Sequence, residues 1–124
     1  MLVIARKVDE WIQVGDDVIV GPTDIDANGV RLLAHGRVLG GADDGATFKK
    51  TQEVPLGGEM WIGPHVVVTV LHISGGTGGG LVARLGVNRP KHLRVFRKEV
   101  ADALKRERDA GDRARRERDK GEGS

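Results

Sequence analysis

The sequence predicts a mostly β protein, a small antiparallel barrel or sandwich of short strands with one C-terminal helix. Three observations predict it. The apolar residues are chiefly Val, Leu and Ile in short runs, a composition that favours strands. The 19 glycines fall largely between those runs, as tight turns require. Helical spacing of apolar residues is found near the C-terminus alone, at Val100 and Leu104.

The elements follow in order. Leu2-Val3-Ile4-Ala5 is a first strand, followed by Arg6-Lys7 and a break at Val8-Asp9-Glu10. Trp11-Ile12-Gln13-Val14 is a second, closed by Gly15-Asp16-Asp17. Val18-Ile19-Val20 begins a third, which Pro22 should limit because proline cannot donate to a ladder. Ala27-Asn28-Gly29 is a hairpin signal, and Val30-Arg31-Leu32-Leu33 returns. His35–Gly45 is rich in Gly and Asp, and Ala46–Lys50 reads as a strand. After the turn Pro55-Leu56-Gly57-Gly58 come Met60-Trp61-Ile62 and Val66–Leu71. A glycine connector, Gly75–Gly80, leads to Leu81–Val87. Lys91–Lys98 reads as a last basic strand, and a helix is expected from about Arg97 to Asp109.

The middle carries an internal repeat. Gly15–Val20 matches Gly63–Val68 at an offset of 48, and Val30-Arg31-Leu32 matches Ala83-Arg84-Leu85 at an offset of 53, the glycine connector taking up the difference. On this reading the first copy keeps the N-terminal strand, and the second keeps the last strand and the helix. Residues 1–109 form the domain, with 35–62 as an extra or duplicated segment inside it. Residues 110–124 cannot bury an apolar face and read as a charged, disordered tail.

Composition excludes several classes of function. The chain has no cysteine, so disulfides, thiol nucleophiles and cysteine metal sites are ruled out. No apolar run is long enough to span a bilayer and no signal peptide is recognisable, which predicts a cytoplasmic protein without membrane partners. Gly75–Gly80 lacks the Gly-Lys-Ser/Thr ending of a phosphate loop and fits no GxGxxG pattern. Of the four histidines, His65 and His72 stand seven apart on one strand, hence on opposite faces, and cannot share a metal. No HExxH or Ser/His/Asp pattern is present, so neither an enzyme nor a cofactor is expected. The net charge of +2 is unevenly placed: residues 1–90 carry 8 basic and 10 acidic side chains, and residues 91–124 carry 12 and 8. That asymmetry suits a polyanion near the C-terminal part, and equally suits a solvated mixed-charge tail.

Two stretches carry candidate chemistry. In the first strand Leu2, Ile4 and Arg6 share one face, and Val3, Ala5 and Lys7 the other. In the last, Leu93, Val95 and Arg97 point one way and His92, Arg94 and Phe96 the other. By residue type alone, the favoured reading of both is an ordinary edge strand guarded by basic residues.

These two stretches, MLVIARKVDEWIQVGD at residues 1–16 and NRPKHLRVFRKEV at residues 88–100, resemble the first and last strands of the carbon storage regulator (CsrA/RsmA) family of small mRNA-binding proteins. Residues 1–34 follow the family pattern without a gap, and 63–100 follow it with one insertion in the glycine loop. The resemblance implies a CsrA-type fold and a translational regulator that reads GGA elements in RNA hairpin loops or ribosome-binding sites, where bases are unpaired. Carried over by position, the RNA contacts fall on Ile4, Ala5, Arg6 and Lys7 of the first strand. Others fall on Arg89, Pro90 and Lys91 of the turn before the last strand, and on Val95, Phe96 and Arg97. Ala5 stands where the family has a hydroxyl, Lys7 where it has arginine and Phe96 where it has a polar residue; lysine lacks the arginine fork. Two architectures are open, a homodimer that exchanges its outer strands, which is favoured, and a single-chain pseudo-dimer. A protein antagonist is a further implied partner. The alternative function is a protein-binding module on the same fold that has lost RNA binding.

Overall fold

The computed structural model describes residues 1–37, 45–75 and 78–107. It contains nine strands: β1 (Leu2–Arg6), β2 (Ile12–Val14), β3 (Val18–Asp26), β4 (Gly29–Arg37), β5 (Thr47–Pro55), β6 (Glu59–Ile62), β7 (Val66–Gly75), β8 (Leu81–Asn88) and β9 (Val95–Arg97). A helix, α1, covers residues 98–107. The expected tail at 110–124, the end of the expected helix and part of the 35–62 segment lie outside the described residues.

The strands form two antiparallel sheets, ordered β1-β8-β7-β6 and β5-β4-β3-β2-β9. Their inward faces supply one core, with Ile12, Leu32, Met60, Ile62 and Leu85 among its fully buried side chains. The alternation is regular: Ile12 and Val14 point in and Gln13 out on β2, and Met60 and Ile62 point in and Trp61 out on β6. This is the mostly β fold with one C-terminal helix that the sequence predicts.

The sequence offsets reappear in the pairing register. Shifting both residue numbers by 48 turns Ile12↔Val20 into Met60↔Val68 and Val14↔Val18 into Ile62↔Val66. Shifting β3 by 48 and β4 by 53 turns Val20↔Ala34 into Val68↔Val87 and Pro22↔Leu32 into Val70↔Leu85. The irregularities coincide too, between Pro22 and Asp24 in β3 and between Val70 and His72 in β7. The outer strands obey the same rule, since Val54↔Val30 corresponds to Arg6↔Ala83 and Lys50↔Ala34 to Leu2↔Val87. β5 is therefore the counterpart of β1.

Three expectations are corrected. The second half has a first strand of its own, β5, whose exposed polar sequence TFKKTQEVP hides its kinship with LVIAR. Pro22 does not end β3; the irregularity beside it leaves Thr23 out of register, and the strand runs on to Asp26. The parity argument for His65 and His72 fails because the break at Leu71 shifts the phase, leaving Leu71 and His72 both exposed. Within one chain the outer strands are exchanged between the two halves. β1 pairs with β8 and β9 with β2 of the same chain, so the single-chain arrangement already fills both positions.

Two local features fix the site's surroundings. In the β3–β4 hairpin the Asp26 carboxylate accepts from the backbone amides of Asn28 at 2.7 Å and Gly29 at 3.0 Å, closing the turn with a side chain. A Cβ on Gly21 would stand 2.8 Å from the Trp11 ring, so glycine at this position lets the indole lie against the sheet. There Trp11 meets His35 edge-on, with ring centroids 6.4 Å apart.

Truncating Leu85, fully buried at the centre of β8, should lower the unfolding free energy by about 2–5 kcal/mol. Leu56→Ala, in an exposed turn, should stay within about 0.5 kcal/mol of the parent. Urea denaturation of both variants checks the assignment of the core.

Candidate nucleic-acid interface

β1 and β9 lie at edges of different sheets and share no backbone hydrogen bonds. They are nevertheless neighbours, and side chains join them. Arg6 Nη1 and Nη2 donate to Glu99 Oε2 and Oε1 at 3.0 and 3.1 Å, a two-pronged ion pair from the end of β1 to the first turn of α1. Arg6 Nη1 also donates to the Trp11 carbonyl at 3.3 Å, and the Lys98 amide donates to that same carbonyl at 2.9 Å. Arg6 Nε donates to the Ala5 carbonyl at 2.7 Å.

The two segments run in the same sense. Leu2 faces Val87, where β8 hands over to the 89–94 connection, and Arg6 reaches Glu99 just beyond β9. The connection is held by the Leu93 amide on the Pro90 carbonyl at 3.0 Å and the Gly15 amide on the Arg94 carbonyl at 2.8 Å. The candidate contacts of residues 4–7, 89–91 and 95–97 thus belong to one side of the molecule.

Their presentation differs from the expectation in one respect. Arg6 is 4% exposed and its guanidinium is committed to Glu99 and two carbonyls, so it positions β1 against α1 rather than offering charge outward. Ile4 and Val95 are also buried, and only their backbones can reach a ligand. Ala5, Phe96, Arg89 and Pro90 are half-buried, while Lys7, Lys91 and Arg97 are exposed. Arg94, on the connection, adds another exposed cation. Arg89 Nε is enclosed without an acceptor among the described residues, an unusual state for a buried donor.

Two participants escape a reading of sequence pattern. Glu99 holds Arg6, and the Trp11 carbonyl gathers both edges; the only sequence signal for Glu99 is a carboxylate in the first turn of a helix, where the dipole favours it. Beside the interface, a groove of about 900 Å³ runs between α1 and the outer face of the β2–β3–β4 sheet, lined by Gln13, Ile19, His35, Phe96, Ala101 and Leu104 among others. Among the described residues no group of three metal-ligating side chains forms, and no helix is long and apolar enough to cross a membrane.

The Glu99 carboxyl is held below the ordinary glutamate range, first by its hydrogen bond from Arg6, then by a backbone hydrogen bond, with the Arg6 and Arg97 charges adding to both. A lowered folded value means that the folded state binds the proton less readily than the unfolded chain. The stabilisation is therefore present above the unfolded carboxylate range and is lost as pH falls through the folded value. Glu99 is largely exposed, so the effect is modest. Glu99→Gln should lower the melting temperature slightly at neutral pH and converge on the parent in acid, giving a shallower acid limb, as followed by circular dichroism melts from neutral to acid pH.

No solved structure matches the chain significantly. Residues 56–106 match the family model described as CsrA: Global regulator protein family. The match begins in the turn after β5 and takes in β6, β7, β8, β9 and nearly all of α1, so it contains the last-strand half of the interface just described. The mostly β architecture, two antiparallel sheets with one C-terminal helix, is consistent with that match. The second half of the chain is thus similar to the CsrA family of global regulators.

Proposed function

We propose that this protein binds mRNA and regulates translation, reading unpaired GGA-type loops on the side formed by β1, the 89–94 connection and β9. The observation that carries the reading is the side-by-side placement of β1 and β9 within one chain, anchored by Arg6 and Glu99. Lys7, Lys91, Arg94 and Arg97, on or beside these segments, are all exposed. The similarity of residues 56–106 to a family of global regulators supports it.

The chemistry fits a single-stranded loop. Arg97 follows the strand end at Ile12↔Arg97, so its stem starts from a fixed backbone and its fork can meet two acceptors on a guanine edge. Exposed backbone along the β1 edge can read base edges without a polar side chain at Ala5. Lys7 and Lys91 act as point charges toward phosphates. Arg89, with a donor unsatisfied among the described residues, suits a phosphate at the turn. Phe96, half-buried on the outer face, offers a surface for a splayed base.

Arg97→Ala should weaken binding of a GGA hairpin by about 1–3 kcal/mol, and more than it weakens binding of a hairpin with a scrambled loop. Lys7→Ala should weaken both RNAs alike and make the salt dependence shallower. Fluorescence anisotropy titrations at two ionic strengths separate these effects. Equal affinity for both loops would reduce the interface to nonspecific charge. Absence of binding would favour a protein partner in the groove beside α1.

A further inference from the structure

The repeat in the register defines a second, symmetry-related place for an RNA interface. There β5 stands for β1, and a strand along the outer edge of β6 would stand for β9. Both components depart from the first interface. At an offset of 48, the positions of Ile4, Ala5, Arg6 and Lys7 are taken by Gln52, Glu53, Val54 and Pro55, which carry no cation. Val54 is buried where Arg6 holds its ion pair, so nothing on β5 can tie a following helix. Glu53 brings an anion to the face that Ala5 leaves neutral, and it is paired with Arg31 at 2.7 Å, whose pKa it raises. At an offset of 53, the positions of Val95, Phe96 and Arg97 are Ala42, Asp43 and Asp44 by sequence. By sequence, acids stand in register with Phe96 and Arg97.

The β6 edge is also occupied. In the first half, the Trp11 carbonyl receives the Lys98 amide. Its counterpart, the Glu59 carbonyl, receives Gln52 Nε2 at 3.0 Å, and the Trp61 carbonyl receives Lys50 Nζ at 3.1 Å. Side chains of β5 thus take acceptors that an added strand would need, the usual way an edge is protected from pairing. Neither a strand of this chain among the described residues nor an easily docked strand from a second copy rebuilds the interface there.

We propose that the chain is monovalent: it presents one RNA-reading interface, at β1/β9, and its symmetry-related place at β5/β6 does not bind RNA. The proposal rests on the RNA-binding reading above. A protein with two such interfaces can hold two loops of one message at once and gain affinity by effective concentration; a monovalent one reads each loop separately.

The test is titration of the full chain with a hairpin carrying one GGA loop, with stoichiometry read by native mass spectrometry and calorimetry. One RNA per chain is expected. Arg97→Ala should reduce the affinity at least tenfold, and Lys49→Ala on β5 should leave it within about twofold. An RNA with two GGA loops should bind two chains, and its first chain should bind no more than about twofold tighter than to the single loop. A bivalent reader would instead gain about 100-fold or more. Two RNAs per chain, a loss of affinity in Lys49→Ala, or a bivalent gain would overturn monovalency and leave RNA binding standing. Absence of any saturable RNA binding would overturn the RNA reading and monovalency with it.

Discussion

The structure depends on an exchange of strands between the two halves of one chain. Residues near the N-terminus complete the sheet made by β6, β7 and β8, and residues near the C-terminus complete the sheet made by β2, β3, β4 and β5. Neither meander closes its core alone, because Ile4 and Arg6 come to one from afar, and Val95 and Leu93 to the other. The constraint is one of register. A slip by one residue in β1 would put Val3 and Ala5 into the core and turn Ile4 and Arg6 out, losing the Glu99 ion pair with them. Everything said of the interface follows from β1 being held in that register against β8 while β9 is held against β2.

Arg6 shows how the exchange is locked. Burying a guanidinium is costly unless its donors are met. Here Glu99 takes two, and the carbonyls of Ala5 and Trp11 take the others that point inward. Glu99 stays largely exposed, so water shares the carboxylate and the pair adds little to stability. Its geometric effect is larger. It fixes the end of β1 to the start of α1, and it does so beside the carbonyl on which the Lys98 amide also closes. Lys7 and Arg97, each next to a member of that knot, are thereby given fixed origins. A cation that reads like a ligand contact in the sequence is the strut that aims its neighbours.

Much of this was legible in the sequence, for identifiable reasons. The strands with clean alternation, such as Trp11–Val14 and Met60–Ile62, announce themselves because one face must be buried. Their kinship shows through because the core residues Val18, Val20, Val66 and Val68 are nearly interchangeable. The faces of β1 also follow from alternation alone. What stayed hidden depends on contacts distant in sequence. β5 shares register with β1 but buries chiefly Val54, so its pattern offers no apolar face to recognise. The phase shift at Leu71 has no local signature, since an irregular residue is defined by its partner strand. The inward turn of Arg6 depends on Glu99, 93 positions away, and composition cannot tell a charge held in a pair from one offered to solvent.

The two ends of the repeated scaffold show why the same topology need not carry the same chemistry. At β2 the outer edge is closed by a strand, and the strand brings with it a turn, an arginine and a helix. At β6 the equivalent carbonyls are closed by Lys50 and Gln52, two side chains that satisfy the backbone and bring nothing further. Both solutions meet the requirement that edge acceptors find donors, so folding does not discriminate between them. Only the first also gathers cations beside an exposed strand edge. The register could repeat across both halves because the core demands it. The interface could not repeat, because residues that satisfy an edge with side chains occupy the space in which a reading strand would lie.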